Sequence, residues 1–112
     1  MFVISTERFF KLFTSKWVTG IALFPFIILR HPELKEDARM LNHEKIHIRQ
    51  QLELAVIPFF LWYIIEYVVR LIQYRDSHKA YSQISFEREA YRNHDDLHYL
   101  KQRKFWAFLN YL

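Results

Sequence analysis

A chain of 112 residues, 52% hydrophobic and 19% aromatic, has room for one domain and carries more apolar side chains than so small a domain easily buries. Its formal net charge of +4 is mild and no basic run is interleaved with aromatics, so no nucleic-acid partner is expected. The lack of cysteine excludes disulfides, thiolate metal sites and cysteine nucleophiles, and it fits a reducing compartment. The apolar excess anticipates a membrane surface, a homo-oligomer contact or a substrate cleft.

Arg8, Lys11 and Lys16 precede an apolar run over residues 18–29, a loose signal-peptide outline. No small-residue cleavage site follows and Pro25 interrupts the run, so the expected location is the cytoplasm, or its inner-membrane face. Phe2 to Ser5 and Ile21 to Leu29 read as strands, the second interrupted or bulged at Pro25. Between them, Glu7 to Phe13 suits a short helix or a strand equally. A proline-bearing strand belongs on a sheet edge, where it either pairs with an extended peptide or forms a supporting hairpin.

Pro32 opens a turn, and Glu33, Glu36 and Asp37 suit a helix start. From Glu36 to Leu54 there is no Gly or Pro, and apolar residues mix with charged ones as on an amphipathic helix. Inside it lies His43-Glu44-Lys45-Ile46-His47. The two histidines fall one turn apart on one face, so both imidazoles can reach one metal ion. Glu44 sits about 100° round from His43 and about 60° from His47, beside the metal without being a ligand. This is the zinc-hydrolase arrangement, with Glu44 as general base.

Pro58 starts a new helix or kinks the old one. Leu54 to Ile72 is apolar apart from Glu66 and Arg70, and as a helix spans about 28 Å. Such a helix is either a central core element or membrane-associated, and Trp62, Tyr63, Tyr67 and Tyr74 suit an interface. Glu66 and Arg70 are spaced for an ion pair; alternatively Glu66 accepts the spare N–H of His43 or His47.

Asp76-Ser77 caps a third helix running to about Asn93, which brings Glu87 and Glu89 in after the histidine motif, as a glutamate-completed zinc site requires. Glu87, Tyr91 and His94 share a helical face. If Glu87 binds metal, Tyr91 or His94 is placed to donate to an oxyanion; otherwise Tyr91 is core and His94 solvated. Asp95 starts a last helix reaching Tyr111, with Trp106, Phe108 and Leu109 packing it on the core. The expected fold is α+β and predominantly helical, with three to four helices and a short N-terminal β-hairpin or edge strands.

The two motifs resemble those of the gluzincins, zinc metallopeptidases whose metal is held by His-Glu-x-x-His and a later glutamate. Within them the likeness is closer to the membrane-associated branch containing CaaX prenyl proteases and the bacterial heat-shock membrane protease, whose second motif looks like Glu-x-x-Ala-Asp. Glu87-Arg88-Glu89-Ala90-Tyr91 aligns with it, which implies Glu87, not Glu89, as third ligand to Zn2+, with Tyr91 standing where aspartate is expected. The whole chain is also similar to short bacterial proteins described as minimal gluzincins. The resemblance implies a minimal zincin-like domain, metal His43, His47 and Glu87, catalytic Glu44, and a peptide or protein substrate; the helical spacing, independently, makes Tyr91 a catalytic candidate.

Two other readings use the same residues. Glu44-x-x-His47 with Asp95-x-x-His98, completed by Glu66 and Glu87, has the spacing of a carboxylate-bridged di-iron site but leaves His43 unexplained. A non-catalytic, metal-stabilised or membrane-associated scaffold is the other, since 112 residues leave little material for a selective cleft.

Overall fold

Alternation of apolar side chains sorts the N-terminal strands into two faces in the computed structural model, which describes residues 2–112. Strands β1 (Phe2–Ser5), β2 (Gly20–Leu23) and β3 (Phe26–Leu29) form a sheet of order β1-β3-β2, β1 parallel and β2 antiparallel to β3. Ala22, Ile27 and Leu29 face inward with Val3, whereas Phe2, Ile4, Leu23 and Phe26 remain on the outside. The stretch Ile21 to Leu29 is therefore two strands rather than one. Pro25 sits in the turn between them, after a cis peptide bond, and not on a sheet edge. The intervening segment resolves to a helix, α1 (Glu7–Phe13), capped by Thr6 and anchored by the buried Phe10.

Asp37 stops the short 3-10 turn Pro32–Glu36 and caps α2 (Ala38–Leu54), its carboxylate accepting from Met40 N. Ile48 of α2 packs on the sheet with Ala22, Ile27 and Leu29. Ala55, at φ 60°, turns the chain into α3 (Val56–Tyr74), where Pro58 occupies the first turn that suits it. The third helix expected from the sequence is two: α4 (Ser77–Ser82), capped by Asp76, and α5 (Ser85–Asn93). They separate because Ile84 is extended and Ser85 N donates to Glu66 of α3, which starts a new helix there. The last expected helix likewise breaks, into α6 (Tyr99–Gln102) and a 3-10 turn Ala107–Tyr111, with Arg103 extended and Trp106 left-handed between them. Six α-helices and one three-stranded sheet make a mostly helical α+β fold among the described residues.

A second core cluster closes the other side of α2. Phe59, Ile84, Phe86 and Phe108 are buried together, with Trp62 and Tyr63 packed against them. Phe86 is the hub: its ring centroid lies 4.5 Å from that of Phe59 and 4.7 Å from that of Phe108. Trp106 and Leu109, expected in the core, keep more than a third of their surface in water.

Glu66 does not pair with Arg70 and does not reach the histidines. It accepts from Trp62 Nε1 and from both the backbone and hydroxyl of Ser85, while Arg70 donates to Gln73. Half-buried at the start of α5, the carboxylate is better satisfied by three local donors than by a single cation one turn away. Glu66 thus acts as the N-terminal cap of α5 from a neighbouring helix.

Phe86→Ala is expected to cost about 3–5 kcal/mol, since it opens a cavity lined by the rings of Phe59, Trp62, Tyr63 and Phe108. Urea unfolding measures this as a lower midpoint at unchanged slope.

Candidate metal centre

α2 and α5 cross so that His43, His47 and Glu87 converge. His43 Nε2 and His47 Nε2 lie 3.2 Å apart, and Glu87 Oε1 is 3.1 Å from the first and 3.0 Å from the second. All three side chains are buried, and they are the one group of metal-type donors this close together among the described residues. Zinc with bonds of about 2.0–2.1 Å in a tetrahedral field sets its ligand atoms about 3.3 Å apart. The donor triangle is thus near the edge length the ion needs, and two imidazoles with one carboxylate suit zinc chemically.

Each donor is held by a second partner. His47 Nδ1 lies 2.8 Å from Gln50 Oε1 and donates to it, which leaves Nε2 with its lone pair free. Gln50 Nε2 donates in turn to Glu89 Oε1. Glu89 also accepts from Tyr99 and from Arg103, which forks on to Glu53, so a chain of buried polar groups runs from the ring to the C-terminal segment. His43 Nδ1 is 3.0 Å from His94 Nδ1, close enough to donate to it. Tyr63 OH donates to Glu87 Oε2 at 2.7 Å and fixes which oxygen faces the histidines.

Electrostatics follow from this geometry. Burial works against charging His47, but Glu87 beside it outweighs that and raises it to about 9. Burial also works against ionising Glu87, and the charge and hydrogen bonds of His47 and His43 hold it well below the usual carboxylate range. His43 is pushed down, mainly by burial. Within the chain itself Glu87 draws a proton onto His47; a divalent cation bound here would take that proton's place and release it.

Glu44 lies beside the triangle, 5% exposed, with no hydrogen-bond partner among the described residues. Burial raises its carboxyl to about 7. It borders two cavities, one on each side. The first, about 390 Å³, is bounded also by His43, His94, Tyr91, Arg39 and Gly20. The second, about 240 Å³ and more apolar, is bounded by His47, Glu87, Tyr63, Phe59, Phe60 and Ala22 among others. Gly20 lets β2 pass this close: a Cβ there would come 2.9 Å from Glu44 Oε1 and 2.6 Å from Met40 Cε.

No family model, curated protein or solved structure matches this chain. The site's chemistry stands on its residues.

Tyr91 is half exposed, with its ring 4.5 Å from that of His43 and its hydroxyl bonded to that of Tyr81 at 3.2 Å. His94 is buried against His43 rather than solvated. Glu89 is fully buried in the ion network and is not a donor to the triangle. The residues of the di-iron reading stay apart: Asp95 is exposed and pairs with Arg39, Glu66 caps α5, and His98 is exposed. Gln50, Tyr63 and Arg103 were not legible as site residues. Gln50 alone left a trace, at i+3 from His47, where a helix brings side chains together.

Equilibrium dialysis with zinc is expected to give one ion per chain for wild type and none retained by His47→Ala or Glu87→Ala. Gln50→Ala should keep the ion with affinity reduced about 10–100-fold, the usual effect of losing an outer-shell partner. Full affinity in Gln50→Ala would remove it from the site.

Proposed function

We propose that this chain is a zinc-dependent metallopeptidase of the minimal gluzincin kind, hydrolysing peptide bonds in a peptide or protein substrate. The observation that carries the reading is Glu44: a buried, unpartnered carboxylate beside three convergent metal donors and facing a cleft. A carboxylate that only supported the fold would have partners.

When bound, zinc polarises the scissile carbonyl and lowers the pKa of water to about 7. His43, His47 and Glu87 would hold it, with the partners Gln50, His94 and Tyr63 keeping each donor aimed. Glu44 accepts the proton of the attacking water and returns it to the leaving amine. Tyr91, freed from Tyr81, donates to the oxyanion from the rim of the cleft.

The sheet edge supplies the other half of the reaction. Arg30 N donates to Thr19 O, and β2 pairs Gly20 with Leu29, so alternate residues Gly20 and Ala22 turn their backbone groups away from β3. Gln51 takes the Ala22 carbonyl and Phe24 N–H. The Gly20 groups remain, beside Glu44, to pair with an extended peptide and lay its carbonyl across the donors.

Glu44→Gln should retain one zinc per chain and lose about 10²–10⁴ in the rate of cleavage of a fluorogenic peptide library. Tyr91→Phe should lose about 10²–10³ with the metal kept. Loss of zinc in Glu44→Gln would reassign Glu44 as a ligand; a zinc-loaded wild type that cleaves nothing would sink the peptidase reading.

A further inference from the structure

Helix α3 has two unlike faces. Toward the protein, Trp62 Nε1 donates to Glu66, Glu66 caps α5, and Tyr63 holds the ligand Glu87. Away from it, Ile57, Leu61, Ile64, Ile65, Val68 and Ile72 are each between 47% and 74% exposed. Their spacing of four, three, one, three and four residues places them on one side over the full length of the helix, about 28 Å. Only 6% of the most apolar 18-residue window is buried, although the helix is long and apolar enough to cross a membrane by length and composition. It is therefore not a core helix.

The inner face argues against a bilayer crossing: its polar side chains are committed to α5 and to the donor Glu87, which would have to enter the bilayer with it. A folded protein partner fits poorly. Protein contacts carry about one hydrogen bond per 100–200 Å² and favour Tyr, Trp and Arg as anchors, and this stripe offers only aliphatic groups. Hydrocarbon asks for nothing else. At the C-terminal end of α3 stand Tyr74, Arg75 and Lys79, with Lys79 Nζ 4.6 Å over the Tyr74 ring. An aromatic residue beside two cations matches the headgroup layer, and the net charge of +4 complements an anionic one.

We propose that the outer face of α3 is seated at the headgroup–acyl boundary of a lipid bilayer, with the helix lying in the membrane plane. The inner face of the same helix carries Tyr63, which donates to Glu87, so the candidate site lies on the side of α3 away from the lipid. The proposal stands on the helix surface alone and is independent of the peptidase reading.

The test is flotation of the full chain with vesicles of phosphatidylcholine, with and without phosphatidylglycerol, at physiological salt. Wild type is expected to float with both and more strongly with the anionic lipid. Ile64→Glu combined with Val68→Glu should lower the partition coefficient at least tenfold, with the far-ultraviolet circular dichroism unchanged. Should that variant misfold, the cysteine-free chain allows a gentler probe: Ile65→Cys carrying an environment-sensitive dye should shift to the blue on adding vesicles. A wild type that stays in solution, or a dye that does not shift, overturns the proposal. So does binding confined to anionic vesicles and indifferent to the paired glutamates, which is surface adsorption by charge. A dimer in sedimentation that those glutamates dissolve, without flotation, assigns the stripe to a second copy instead.

Discussion

The buried carboxylate of Glu87 is the constraint around which this molecule is built. A lone ionised carboxylate moved out of water is costly, and it persists only where several donors and an opposite charge meet it. Here the two imidazoles meet one oxygen and the Tyr63 hydroxyl meets the other. Three helices have to converge for that: α2 with the histidines, α5 with Glu87 and α3 with Tyr63. The Phe59–Phe86–Phe108 cluster lies under the same junction, so apolar burial and polar satisfaction draw the same elements together. A cation placed among the donors would replace His47's proton and tighten the arrangement rather than rearrange it.

Further out, the same logic repeats at larger scale. Glu53, Glu89 and Arg103 are buried together, two negative charges on one positive, with Tyr99 and Gln50 adding donors to Glu89. Such a network is weak evidence for net stability, because desolvation offsets most of the attraction. Its value lies in geometry. It ties the C-terminal segment to the end of α2 and, through Gln50, fixes the tautomer and tilt of His47. Glu89, which the sequence offers as a second candidate donor, is thereby the group that orients a donor.

How much of this was legible depended on range. The histidine pair and Glu44 were readable because a helix of known pitch relates residues four apart, and the structure keeps them on one uninterrupted helix. Glu87 was singled out by resemblance, not by geometry; nothing local separates it from Glu89, two residues away. Pro25 misled because proline marks both bulged edges and hairpin turns, and only pairing partners distinguish them. Glu66 misled for a related reason: the i,i+4 rule speaks for an isolated helix, and Ser85 from another helix outbid Arg70. Tyr63 and Arg103 act across 24 and 50 residues of sequence, on Glu87 and Glu53, and no spacing rule reaches that far.

Tyr91 lies in the shell around the candidate metal site. The second motif it completes resembles one ending in aspartate, a residue suited to accept a proton from a metal-bound imidazole. Tyrosine at that place meets His43 edge-on and sends its hydroxyl to Tyr81. His43 then needs another partner for Nδ1, and the chain provides His94 one turn further on, where α5 ends and the backbone is free to turn inward. Asn42 holds that turn by donating to the carbonyls of His94 and Asp96. A neutral imidazole polarises His43 less than a carboxylate does, so a cation held there would be left more Lewis-acidic by the same three candidate donors. The departure from the motif is thus compensated along the helical face that Glu87, Tyr91 and His94 share, and the compensation accounts for the burial of His94, which the sequence alone leaves as solvated or as an oxyanion donor.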